Sequence, residues 1–177
     1  MAITINGSGI TSANIADGTI TNADINSSAA IDNSKSAVNV VFHAYESTTT
    51  TLTDSTYVKI ALNTTSINVG SYFDTSNYKF LPLKAGYYHI YAQVTLDPDG
   101  SESGGFITKL DKSGSTYMLN DSSRAGTGRY SGNLEATIYM NGSTDYLELY
   151  CYRTDALSQD TQAASYTTFM GGHFLGV

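Results

Sequence analysis

The chain has 177 residues, nine basic against sixteen acidic for a net charge of −7, and only 14% of its residues are charged. That length allows one domain with a sizeable core plus a short appendage, and the acidic balance without any basic cluster excludes a phosphate-backbone partner, so nucleic acid is not an expected ligand. Fourteen Tyr and six Phe exclude a disordered chain, which lacks aromatics, and a single cysteine, Cys151, excludes an intrachain disulfide framework.

The start, MAITINGSG, has neither a charged leader nor an apolar stretch, so no signal peptide is expected. No apolar run is long enough to cross a bilayer as a helix. Ile10, Ile15, Ile20 and Ile25 then recur every fifth position, each with a small residue two places earlier (Ser8, Ala13, Gly18, Ala23). A fixed short period of branched and small positions suits a narrow wound array. About four pentads cannot bury a continuous core alone, so residues 1–36 are either disordered or wound together with other copies that supply the missing core, and the wound stem is the expectation because identical chains with a matching seam associate symmetrically.

From residue 37 onward the pattern changes to period two, the signature of half-buried strands. VNVVFHAY comes first, then YVKIALN with Val58, Ile60 and Leu62 toward one side. GYYHIYAQVTL follows, with Tyr88, Ile90, Ala92, Val94 and Leu96 toward one face and Tyr87, His89, Tyr91 and Gln93 toward the other. FITKL, TYML, NLEATIYM, YLELYCYR and YTTFMGGHFLGV complete the series. Asn141-Gly142 and the DKSG run at 111–114 mark tight turns. No stretch reads as an amphipathic helix. Eight to ten strands with these turn signals predict an all-β sandwich, of jelly-roll type.

Connection lengths predict a polarity. Strands of an antiparallel sandwich alternate direction, so the long connections at 97–105, 120–131 and 153–164 fall at one end and the short ones at 112–114 and 141–144 at the other. This gives a base, where the C-terminus is expected, and a tip whose loops can present binding groups. Asp97, Asp99, Arg124, Arg129, Arg153, Asp155 and Asp160, set among Ser, Gly and Tyr, are the candidate tip residues for recognition.

The segment from Leu62 to Ala92 resembles the signature of C1q-like domains, globular heads related in fold to tumour necrosis factor. Asn68, Phe73, Phe80, Gly86 and Tyr88 fall in its register; Leu62, Ile90 and Ala92 stand where the family has aromatics. TTFMGGHFLGV resembles the family's closing strand at Phe169 and Gly171. The resemblance covers residues 37–177 and implies a ten-stranded jelly roll that assembles as a homotrimer. Tyr87, His89, Tyr91, Tyr150 and Tyr152 are the expected interface residues, since these strand faces carry more aromatics than one sandwich core needs. NIADGTITNADIN is similar to the linkers of bacteriophage tail-fibre and related virion proteins. Together the resemblances imply a virion protein, assembled in the host cytoplasm, that docks other virion proteins through its stem and a host-surface receptor, glycans among the candidates, through its head. A capsid or tail decoration part and a cellular C1q-like surface adhesin are the alternatives.

Other chemistry is weakly signalled. DPDGSE at 97–102 is acidic enough to consider calcium, but it lacks a full twelve-residue calcium loop and reads as a solvated turn, so no cofactor is expected. His43, His89 and His173 are scattered without ligand spacing, so no metal centre is expected. Glu135 and Glu148 sit outward on different strands, and Cys151 shares the inward parity of Leu147 and Leu149. No base–nucleophile pair emerges, and the chain is expected not to be an enzyme.

Overall fold

The structure is a computed structural model that describes residues 40–96, 103–125, 128–154 and 159–177. The isoleucine pentads and the stem expected over residues 1–36 lie outside the described residues. Among these the secondary structure is all β. The principal strands are β1 (Val41–Tyr45), β4 (Thr64–Val69), β7 (Ala85–Leu96), β8 (Ser103–Lys112), β9 (Ser115–Ala125), β10 (Tyr130–Asn141), β11 (Leu147–Arg153) and β13 (Phe169–Gly176). Two-residue pieces fill the gaps: β2 (Thr51–Leu52), β3 (Val58–Lys59), β5 (Phe73–Asp74), β6 (Lys79–Phe80) and β12 (Gln159–Asp160).

These form a five-stranded sheet in the order β10-β7-β13-β1-β4 and a six-stranded sheet in the order β5-β6-β11-β8-β9 with β3 also on β11. The chain passes between these two sheets at β3–β4, β4–β5, β6–β7, β7–β8, β9–β10 and β10–β11, and returns from β11 to β13 by way of β12, which pairs with β2 in a separate two-stranded sheet. That crossing pattern is the jelly roll expected from the sequence.

The two inner faces supply one core. Phe42 stacks on Phe73 and Phe80 (ring centroids 5.5 and 4.1 Å), Phe80 meets Tyr88 edge-on at 5.6 Å, and Tyr88 meets Phe174 at 5.2 Å. Each ring of this spine removes on the order of 150–250 Å² from water. The residues carrying the family resemblance build or brace it. Asn68 brackets the turn into β5 by donating from Nδ2 to the Phe73 carbonyl (3.0 Å) and accepting from the Phe73 amide (3.1 Å). Gly86 has φ +139°, and a Cβ there would strike the Gly176 carbonyl and the Phe174 ring, so only glycine closes this corner.

The strand parity of the sequence holds along β7, where Tyr88, Ile90, Val94 and Leu96 are buried and Tyr87 is half exposed. One expected strand is shorter than its sequence pattern, and one strand, β4, was not expected. The strand expected over YVKIALN is only Val58–Lys59; Ile60 and Leu62 are nevertheless fully buried, because the extended chain stays pinned through the Ile60 amide to the Leu149 carbonyl at 2.9 Å. Strand β4 carries no clear alternation. It is a sheet edge whose residues are mostly exposed on both sides, so its sequence lacks the period that announces a buried face.

Pairing also fixes the polarity. Leu96 pairs with Tyr130, Ser103 with Ala125, and the Thr154 amide donates to the Gly105 carbonyl, so the long connections leave from one end. At the other end Ala85 pairs with Asn141, Lys112 with Ser115 and with Leu147, and Gly176 with Tyr87. The C-terminus therefore lies at the base.

Candidate functional site

The two sheets differ in what they show outward. The five strands of the first sheet contain no Lys or Arg and one acid, Glu135. The strands of the second carry Lys59, Asp74, Lys79, Lys109, Asp111, Lys112, Asp121, Arg124, Glu148 and Arg153. Charge depletion with aromatic enrichment is the compositional mark of an interface core.

On the outward face of the first sheet, Tyr87 (50% exposed), Tyr139 (48%), Ile67 (46%), Val69 (48%) and Leu175 (53%) remain open to solvent. Tyr87 and Tyr139 are a cross-strand pair whose rings meet edge-on at 5.4 Å. At the centre Tyr91 lies down over Gly171: a Cβ at 171 would overlap its ring. The adjacent Gly172 lets the same strand press close on the inner side, where a Cβ would come within 2.6 Å of the His89 carbonyl. The Gly-Gly pair thus makes the middle of this sheet thin and its outer surface flat.

The three histidines, dispersed in sequence, converge on this face. His89 and His173 are direct cross-strand partners with ring centroids 5.3 Å apart. His43 lies over Phe169 at 5.2 Å and is 6.4 Å from Tyr91, which is 6.2 Å from His89. Glu135 Oε1 is 3.5 Å from His89 Nε2, and His43 Nδ1 shares a 2.9 Å hydrogen bond with Ser66 Oγ. Burial pushes the His43 ring below its ordinary pKa. Among the described residues no three metal-type side chains come close enough to hold an ion. Only sheet pairing could have revealed this convergence.

Of the expected interface residues, Tyr87, His89 and Tyr91 share this face, whereas Tyr150 and Tyr152 face outward from the opposite sheet. They cannot belong to the same surface, and both are held within the chain. Tyr150 donates to Glu148 Oε2 (3.0 Å), and Lys109 Nζ lies 4.7 Å from its ring and 4.3 Å from that of Tyr57, which packs on Tyr152 at 4.9 Å. Desolvation, then the Glu148 carboxylate, pushes the Tyr150 hydroxyl up to about 12. Lys109 also pairs with Asp111 (2.8 Å) and Lys59 with Glu148 (2.5 Å). The β11 and β8 part of the second sheet is therefore covered by its own charges and rings, while Tyr117 and Leu119 on its edge strand β9 stay half exposed.

At the tip, Asp97, Asp99 and Asp155 lie outside the described residues, and of Arg124 only the strand position is described. Arg129 is exposed and, with the Gln162 amide turned to satisfy both groups, donates to its oxygen at 2.6 and 3.2 Å. Asp160 is exposed and accepts from Thr51 Oγ1 at 2.6 Å. Arg153 is a correction: it is fully buried, because β11 runs through 153 and gives it the inward parity of Leu147, Leu149 and Cys151. A second buried charge, Glu46, was not signalled by sequence. Its carboxylate accepts from Thr50 and from Thr161 (2.6 Å), tying β1 to the chain leading into β13, and desolvation raises its pKa.

The enzymatic alternatives find no geometry among the described residues. Glu135 and Glu148 stand on opposite sheets, and burial raises the Cys151 thiol far above its ordinary range, so it stays protonated and inert.

No protein family matches the chain by sequence, and no curated protein does either. Solved structures do match in fold. Murine APRIL at pH 5.0 is 14% identical with a TM-score of 0.59, covering 78% of this chain and 100% of that one. Eiger TNF from S. frugiperda is 12% identical with a TM-score of 0.58, covering 78% and 93%. The globular domain of zebrafish complement 1qA protein is 10% identical with a TM-score of 0.56, covering 77% and 97%. The chain has a C1q/TNF-like jelly-roll fold. At these identities the likeness shows the fold alone.

Proposed function

We propose that residues 37–177 form a non-enzymatic binding head that works as a homotrimer, with the outward face of the five-stranded sheet as its association surface and the tip end free for a partner. The observation that carries this reading is that face itself. Its strands hold one charged residue, and it exposes the Tyr87–Tyr139 pair on β7 and β10, Leu175 on β13, and Ile67 and Val69 on β4. An apolar, aromatic surface of this kind on a water-soluble fold is one that another protein covers. The resemblance to C1q-like heads gives the partner as two further copies.

The finer reading is a fibre head of a virus particle, with residues 1–36 as its stem and a host-surface receptor at the tip. It is supported by the likeness of the pentad segment to tail-fibre linkers, and by the location of the C-terminus at the end opposite the long loops, where docking at the base leaves the tip unobstructed. Three copies give avidity to weak individual contacts.

Light scattering on the full chain and on 37–177 at neutral pH tests the reading. Three chain masses for both, against 18.9 kDa for one full chain, is the expected result. A monomeric head refutes the association surface, and a trimer that needs residues 1–36 moves assembly to the stem.

A further inference from the structure

We infer that the His89–His173 pair makes association through this face pH-dependent: copies bind at neutral pH and release as the histidines gain protons. The inference rests on the association reading above and adds a regulation to it.

All three histidines of the chain lie on this one face. His89 and His173 are opposed across β7 and β13 with ring centroids 5.3 Å apart, so protonating both places like charges side by side. The other titratable groups that face the pair are His43 and Tyr45 from β1, Tyr87 and Tyr91 from β7, and Glu135 and Tyr139 from β10; β4 and the rest of β13 bring none. Glu135 alone can offset a positive charge. It is 3.5 Å from His89 and its side chain is 75% exposed, so on the open face water screens it; under a second copy it can offset one imidazolium, that of His89, and leaves a protonated His173 without a counter-charge. On an open face solvent stabilises the imidazolium ions. Under a second copy that solvent is gone, and no basic or further acidic residue of these strands compensates. On the same face, burial lowers the pKa of His43, so covering a histidine of this sheet disfavours its charged form.

Histidine titrates from an ordinary value of about 6.5. If covering the face excludes the proton, one must be taken up as the face opens. The apparent dissociation constant then rises about tenfold for each pH unit below that value for every histidine so linked.

The test is a dilution series of the full chain by sedimentation at pH 8.0, 6.5 and 5.0 in EDTA, with circular dichroism confirming the fold at each pH. The H89Q/H173Q double variant is run beside it, and H173Q alone, at the exposed member of the pair, serves if the double variant does not fold. Wild type that is trimeric at pH 8.0 and dissociates at 5.0, with the variant trimeric at both, is the expected result. Equal dissociation constants at all three pH values overturn the switch and leave the association surface standing. Loss of the trimer in wild type and variant alike assigns the pH effect elsewhere. A monomer at pH 8.0 overturns both readings.

Discussion

The two sheets of this sandwich share one core and solve the problem of their outer faces in opposite ways. The six-stranded sheet covers its β11 and β8 part itself: Lys109 is gripped by the rings of Tyr57 and Tyr150 and by Asp111, and Lys59 closes on Glu148. Both lysines are paired inside the chain, and Tyr57, Tyr150 and Tyr152 pack on them or on one another. The five-stranded sheet has no such cover. Tyr91 lies over the Gly171 backbone, Tyr87, Tyr139, Ile67 and Val69 stay about half exposed, and the single acid is 3.5 Å from one histidine. Both faces keep some half-exposed apolar side chains, Tyr117 and Leu119 on the second, Tyr87, Tyr139, Ile67 and Val69 on the first; what separates them is that the first sets these among almost no charge.

Placing a charge on each face breaks the comparison most sharply. Tyr87→Lys and Leu119→Lys both alter a residue about half exposed in the single chain, 50% and 49%. An unpaired charge buried at an interface costs on the order of 3–5 kcal/mol, so Tyr87→Lys is expected to bring the solution mass down to that of one chain. Leu119→Lys is expected to leave it unchanged. Both masses falling, or neither, removes the distinction between the faces.

Removing a charge from the self-covered face should act on stability and not on assembly. Lys109→Met leaves Asp111, already only 8% exposed at its side chain, without its cation. A loss of about 1–3 kcal/mol in urea unfolding is expected, with the mass unaltered. A change in mass would make this sheet an interface too.

The smallest effect is the one Glu46→Gln should show, and it is a matter of pH. The folded-state pKa of this carboxyl is raised, chiefly by desolvation. Its contribution to stability is therefore fully present below the ordinary value of 4.5 and is lost as pH rises through the raised value. Glutamine keeps the shape without that loss, but it has one acceptor oxygen for the two hydroxyls, so either the Thr50 or the Thr161 contact must reverse its direction; the variant should still gain on wild type as pH rises from acidic to neutral. Parallel stability profiles would refute the burial of a charge at this position.

The core was legible in the sequence because each position in β7 or β11 carries its parity in its residue type: Tyr88, Ile90 and Val94 inward, Tyr87 and Tyr91 outward. Parity does not say which sheet a strand joins. That is why Tyr150 and Tyr152 read as companions of Tyr87 when they face the other way from the opposite sheet, and why three scattered histidines did not read as a cluster. Arg153 shows the converse: a charged residue at a strand's end was read as loop chemistry, while the alternation of Leu147, Leu149 and Cys151 already placed it inside. Strand β4, exposed on both sides, carries no period to read.

The most direct measurement is tyrosine nitration of the full chain at pH 8.0, read residue by residue by mass spectrometry. In the single chain Tyr87 and Tyr139 are 50% and 48% exposed, and Tyr117 and Tyr57 are 45% and 39%, so exposure alone ranks the first pair as the more reactive. The account predicts the reverse in solution: Tyr87 and Tyr139 protected, Tyr57 and Tyr117 modified, and the protection lost on dilution below the association range. Modification of all four in the order of their single-chain exposure would contradict it.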